Sequence, residues 1–170
     1  MRSSCRFAMA VQTLAVLAYK NGDRVTSTLL ARSVNTNPVV IRRLLLALQQ
    51  ARLIETRKGV GSGSRLSRPP ARINLAEVYR AVEGEAAFVL PPHKPNRACP
   101  VGNCIQAALN LVFASAQTAL ERDLAGTTLA AILDKIKSSA LRGASAQQQP
   151  LETVSAGVRR PAGREKRDGA

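Results

Sequence analysis

The stretch Ser33-Val34-Asn35-Thr36-Asn37-Pro38 constrains this chain more than any other, because it forces a turn between two amphipathic segments and fixes where the second begins. A proline inside a helix removes a hydrogen bond, but at the first helical position its missing N–H costs nothing, and Asn37 before it is a good N-cap. The spacing predicts a helix from residue 38 to about 51, with Val40, Ile41, Leu44, Leu45 and Leu48 on one apolar stripe. Upstream, Thr26 or Ser27 can cap a short helix carrying Leu29, Leu30 and Ala31. Before that, apolar residues at 7, 8, 11, 14, 15, 17 and 18 repeat with the period of a buried helix, which Asn21-Gly22-Asp23 ends. Two short helices joined by a tight turn, the second opening on polar residues, have the shape of a helix-turn-helix. Val39, Arg42, Arg43 and Leu46 fall off the stripe of the second helix. Arg42 and Arg43 can reach guanine edges or phosphates in a major groove. The same face would also suit the solvated side of an ordinary three-helix bundle.

The segment that follows favours the first of these readings. Leu53-Ile54-Glu55-Thr56-Arg57 is extended in pattern, Lys58-Gly59-Val60-Gly61-Ser62-Gly63 is a turn, and Ser64-Arg65-Leu66-Ser67 alternates again before Arg68-Pro69-Pro70. This predicts a basic, glycine-tipped hairpin directly after the candidate recognition helix, a wing that touches DNA backbone or minor groove. A nucleotide-binding loop is excluded, since neither Gly-Lys-Ser/Thr nor the helix that should follow it is present.

Charge agrees with a nucleic-acid partner. The chain of 170 residues has 25 Lys+Arg against 11 Asp+Glu, a formal +14. Residues 1–75 hold 13 and 2 of these, giving +11; residues 76–137 hold 6 and 6; residues 138–170 hold 6 and 3, giving +3. A basic half beside a neutral one suggests that one region meets phosphate and another meets protein. With 3% aromatics and no Trp there is no stacking platform for single strands, so the duplex is the expected partner. One His and sparse acids offer no catalytic constellation, and the chain is not expected to be an enzyme. The apolar run 7–19 is broken by Gln12 and Thr13 and lacks a small-residue cleavage site, so it reads as an amphipathic helix. No run reaches the roughly 18–20 apolar residues of a membrane span. No membrane partner and a cytoplasmic location are expected.

The second half reads as connector, long helix and tail. Asn74 with Glu77 three residues later forms a capping pair for a short helix to about Val82. Residues 84–100 are loop-like, with Pro91, Pro92 and Pro95. From about 101 to 125, Ile105, Leu109, Val112, Phe113, Ala116, Leu120 and Leu124 mark an amphipathic helix well over 30 Å long at ~1.5 Å per residue. A near-neutral helix of that length is expected to pack on a second copy of itself. Thr127 or Thr128 can cap a last short helix through Ile136. The expected organisation is a winged helix-turn-helix domain (1–83), a sensor-like loop (84–100), a dimerisation helix with a short C-terminal helix (101–137), and a disordered basic tail (138–170). The fold class is mainly α, with one small β-hairpin.

These residues resemble the Rrf-two family of winged helix-turn-helix bacterial regulators, the group containing IscR and NsrR. The resemblance covers about residues 4–137. It rests on Arg6-Phe7-Ala8-Met9-Ala10-Val11, on Asn37-Pro38-Val39-Val40-Ile41-Arg42-Arg43-Leu44, on the wing from Gly59 to Leu66, on Ile73-Asn74-Leu75-Ala76-Glu77-Val78-Tyr79-Arg80-Ala81-Val82-Glu83, and on Cys99-Pro100-Val101-Gly102. It implies a homodimeric regulator, a repressor, with two recognition helices in successive major grooves of a pseudo-palindromic operator. By matching position it places Thr36, Asn37, Val39, Arg42 and Arg43 at bases or flanking phosphates, and Arg57, Lys58 and Arg65 on the wing. Cluster-binding members carry a carboxylate and a glutamine where this chain has Arg42 and Arg43, so its operator preference does not carry over from them.

Iron–sulfur members also use three loop cysteines, whereas here the loop has Cys99 and Cys104, and Cys5 is distant. A cluster needs about four ligands, and zinc meets the same shortage. The chain thus resembles the subgroup without the three-cysteine motif: no cofactor and no metal are expected, and Cys99 and Cys104 are candidate thiol sensors beside the plainer reading of two ordinary cysteines. An iron–sulfur-dependent regulator and a non-specific architectural nucleic-acid-binding protein are the competing readings.

Overall fold

Helix α1 (Arg6–Tyr19) buries Leu14, Ala15 and Leu17 as its periodicity predicts, and with them Ala10 and Thr13, which the pattern does not mark, while Ala8 of the expected stripe is exposed and Phe7, Val11 and Ala18 are half-buried. The computed structural model, which describes residues 5–83 and 87–146, continues with α2 (Ser27–Val34) and α3 (Pro38–Gln50). Thr26 caps α2 by accepting from the Leu29 N–H at 3.3 Å, and Asn35 ends it in the left-handed conformation at φ 55°. Asn37 then caps α3, its Oδ1 accepting from the Val39 N–H at 2.8 Å, with Pro38 in the first turn. Ile41, Leu44, Leu45 and Leu48 turn inward from α3 and meet Leu14, Leu17 and Leu30 in one apolar cluster.

Strands β1 (Ile54–Arg57) and β2 (Gly63–Leu66) pair antiparallel, with Ile54 opposite Leu66, Glu55 opposite Arg65, and Arg57 opposite Gly63. The hairpin is tied to the helices by Val25, whose N–H and C=O both bond to Ser64 at 2.9 Å. That approach leaves no room at Gly63: a Cβ there would lie 3.0 Å from the Val25 backbone, and its φ of 141° already disfavours a side chain. A 3-10 turn (Pro70–Arg72), which the sequence reading does not anticipate, leads to α4 (Leu75–Val82). Here Asn74 and Glu77 form the expected capping box, with bonds of 3.0 and 3.1 Å. Helix α4 closes on the start of α1. Phe7 meets Tyr79 edge-on at 5.7 Å, and Glu83 accepts from the Phe7 N–H at 3.2 Å.

Helix α5 (Pro100–Ala125) is 26 residues long, about 39 Å at the usual rise. Arg80 on α4 donates to Glu121 on α5 at 2.7 Å, and Gln117 supports the same carboxylate at 2.8 Å. Gln117 also accepts from the Ala87 N–H at 3.1 Å, and Phe88 stacks on Phe113 at 5.4 Å, so the connector lies against the middle of α5. After α5 the chain returns to the first half. The Leu75 N–H bonds to Thr127 O at 2.9 Å and the Leu129 N–H to Ile73 O at 2.8 Å, and Leu129 is fully buried in the common core.

Helix α6 (Leu129–Ala146) departs from expectation in length. Thr128 caps it as predicted, accepting from the Ala131 N–H at 3.2 Å, but it passes the expected end near 136 and occupies 138–146, where a tail is expected. The reason is local: residues 137–142 contain neither Pro nor Gly, and Ala140, Leu141 and Arg142 favour helix strongly enough to carry it past Ser138, whose hydroxyl turns back onto Asp134 O at 2.8 Å. The rest of the expected tail, 147–170, and residues 84–86 of the expected loop lie outside the described residues. Among the described residues, no helix is long and apolar enough to cross a membrane.

Candidate nucleic-acid interface

Burying Ile41, Leu44, Leu45 and Leu48 leaves Val39, Arg42, Arg43 and Leu46 facing outward, as the periodicity predicts, whereas Val40, expected on the apolar stripe, is exposed. Thr36 is half-buried in the turn, and Asn37 is exposed but spends its Oδ1 on the cap. The first turn of α3 therefore presents its N-terminus to solvent, oriented by side chains that the sequence also nominates for contact. Between α3 and the wing lies a cleft of about 450 Å³. Arg42 enters it from the helix, and Arg57 and Lys58 from the hairpin. The hydroxyl residues Thr26, Ser27, Thr56, Ser62 and Ser64 and the amide of Gln49 complete its polar side-chain lining, and no carboxylate lines it. Among the described residues the three cations have no acidic partner. Three positive charges on two elements beside hydroxyl groups form a surface with the chemistry to neutralise a phosphate.

Arg65 is placed differently. It projects from β2, not the tip, and holds Glu55 on the opposite strand with Nε and Nη2 at 3.1 and 2.9 Å. It thereby cancels the only wing carboxylate. Arg43 is exposed on α3 but does not line the cleft. Leu46 and Gln49 do line it, and the sequence reading did not nominate them for contact. Leu46 is 57% exposed, and its position off the apolar stripe is the signal that marks it. Thr26 and Ser27 are legible only as caps; that α2 begins at this cleft follows from the Val25–Ser64 pairing.

The thiols lie elsewhere. Cys99 stands at the N-cap of α5, its N–H bonding to Asn96 O at 3.2 Å, and Cys104 lies in the second turn; both are exposed. Gly102 lets the loop close here, since a Cβ would fall 2.4 Å from the Asn96 carbonyl oxygen. Cys5 is exposed at the N-cap of α1 and makes no capping bond.

The Rrf2 (Rrf-two) family model, described as an iron-dependent transcriptional regulator, matches residues 3–135. YwnA of Bacillus subtilis, a candidate HTH-type transcriptional regulator, is 39% identical over 131 residues, which cover 77% of this chain and 96% of that protein. A solved candidate DNA-binding protein superposes with a TM-score of 0.62 at 38% identity, covering 75% of this chain and 98% of the other. CymR, described as the global cysteine regulator of B. subtilis, shares the fold with a TM-score of 0.56 at 20% identity, over 79% and 98% of the two chains. The iron in the family's description meets a poor donor set in this chain. Two exposed thiols five residues apart are its cysteine donors near α5, and no three His, Cys, Asp or Glu side chains converge among the described residues. The described residues of one protomer do not assemble the roughly four ligands a cluster takes. The fold, the basic helix–wing cleft and the matches over most of the chain agree, and the chain belongs to the Rrf2 family of DNA-binding transcriptional regulators.

Proposed function

We propose that this regulator is a homodimeric, sequence-specific repressor that acts in the cytoplasm on a pseudo-palindromic operator, without an iron–sulfur cluster. The observation that carries the reading is the convergence of Arg42 with Arg57 and Lys58 in a cleft free of carboxylates. Phosphate contacts from the wing and from α2 set the register, and the outward face of α3 reads base edges. Dimerisation is supported by α5, which has no buried residue along its 26 positions and leaves Val101, Leu111 and Val112 more than 60% exposed. A free amphipathic helix of this length exposes more apolar surface than a monomer ordinarily carries.

Footprinting on the DNA upstream of the protein's own coding sequence tests the reading. A protected, two-fold-related site that survives bulk competitor DNA is expected; general coating without a footprint would instead mark a non-specific architectural protein. Replacing Arg42 and Arg43 by Ala should abolish the footprint while sedimentation still reports a dimer. Leu111→Glu should yield monomers with weakened binding.

The thiols extend the reading. Cys99 stands exposed at the N-cap of α5, open to an oxidant. With hydrogen peroxide as oxidant, the thiolate sulfur attacks one oxygen, the O–O bond breaks, hydroxide leaves, and a sulfenic acid remains at Cys99. Peroxide should release the wild-type footprint and leave the Cys99→Ser footprint intact. A footprint equally insensitive in both proteins removes the sensing role.

A further inference from the structure

We propose that Val60 reads the minor groove: the wing tip seats the Val60 side chain on the groove floor flanking each half-site, where it accepts A·T pairs and rejects the guanine 2-amino group. This rests on the DNA-binding reading above. It adds a contact residue and a sequence preference that lie outside the recognition helix.

Val60 is 99% exposed, whereas the next most exposed large apolar residue among the described residues, Tyr19, is 78% exposed. It stands between Gly59 at φ 83° and Gly61 at φ 71°, and the turn is closed by the Ser62 N–H on Gly59 O at 3.0 Å. A Cβ on either glycine would meet open space, so packing does not demand them; the left-handed backbone does. The result is a tip of three residues with a single side chain. The minor groove of B-form DNA is about 6 Å wide, and bare glycines on both flanks bring only backbone thickness to its walls. Arg57 and Lys58 lead into the tip, and Glu55, the only carboxylate on the hairpin, is neutralised by Arg65. The tip is thus drawn to the narrow, strongly negative minor groove of A·T-rich DNA.

The groove floor then decides which pairs are accepted. A·T and T·A pairs present only acceptors there, while G·C adds the guanine N2 donor. A valine side chain offers that donor no acceptor, so seating it on G·C buries an unpaired N–H. On A·T it covers the floor without orphaning a donor. Apolar side chains are a recurrent means of engaging the minor groove, and Val60 makes no use of its methyl groups within the protein.

The test uses the full-length protein and a duplex selected by it from a randomised pool, with footprinting to locate the positions under the wings. Changing A·T to G·C at those positions should weaken wild-type binding about tenfold, the scale of one unfavourable pair. Inosine·C, which keeps the major-groove face of G·C but lacks the 2-amino group, should restore binding to within about twofold of A·T. Val60→Ser, which supplies an acceptor, should bind all three duplexes within about twofold of one another. Its melting temperature should be unchanged, because residue 60 touches nothing in the fold. Discrimination retained by Val60→Ser, or inosine·C behaving like G·C, overturns the proposal while Arg42-dependent protection leaves the DNA-binding reading standing. If the wild type selects no site from the pool, the DNA-binding reading fails, and this inference fails with it.

Discussion

Thr13 is fully buried in α1, and its Oγ1 finds no hydrogen-bond partner. A buried hydroxyl without a partner loses its water and recovers little. Valine has nearly the same shape, so Thr13→Val should stabilise the fold by about 1 kcal/mol, read as a higher urea midpoint at constant slope. A decrease would mean that the hydroxyl is satisfied in solution. The sequence marks Thr13 only as an interruption of an apolar run, because polarity is visible in a string of letters and the want of a partner is not. The same limit applies to the basic residues. Arg42, Arg57, Lys58 and Arg65 look equivalent in sequence, yet Arg65 is spent on Glu55 and the other three are not. Which cations stay available depends on cross-strand register, and register is fixed by the pairing of Ile54 with Leu66.

At the scale of elements, what is written in adjacent residues was legible and what depends on remote backbone was not. Asn37-Pro38 and the Asn74–Glu77 pair set the starts of α3 and α4 because a cap and its N–H lie within three residues of each other. The end of α6 was missed because no Gly or Pro marks it before residue 143. The docking of Thr127 and Leu129 on α4 and its lead-in was missed because it runs through backbone groups distant in sequence. The α4 cap also has a consequence for pH. Burial pushes the Glu77 carboxyl up, but the Asn74 N–H and the charges of Arg68 and Arg80 outweigh it, holding the carboxyl below its ordinary value of 4.5. A carboxyl depressed in the folded state stabilises above its unfolded pKa, and that contribution is lost as pH falls through the folded value. The melting temperature should therefore drop on acidification from about pH 5 to about pH 3. Glu77→Gln, less stable near neutrality, should drop less over the same interval, so that the two curves converge. Parallel curves would show that Glu77 does not contribute to the acid sensitivity.

For the whole molecule, the net charge of +14 matters less than its division into charges that are already compensated and charges that are not. Arg68 is paired with Glu77 at 2.7 Å, Arg80 with Glu121 at 2.7 Å, and Arg65 with Glu55 at 2.9 Å, whereas the helix–wing cleft keeps Arg42, Arg57 and Lys58 without a carboxylate. Binding to duplex DNA releases counterions in proportion to the phosphates neutralised, so each protein–phosphate contact adds about 0.9 to the slope of log affinity against log salt. In the proposed dimer every substitution counts twice. Replacing Arg57 and Lys58 together by Ala should then flatten the slope by roughly 3 to 4. Arg65→Ala should leave the slope nearly unchanged, because it removes a cation that its own strand partner already neutralises. The measurement is operator affinity across a series of salt concentrations for the three proteins, with a melting curve on each to show that the hairpin still folds. Flattening by Arg65→Ala of about half that of the double variant, one cation per protomer against two, would mean that the Arg65–Glu55 pair opens on DNA and that the wing presents its cations along the whole strand, not only at the end facing α3.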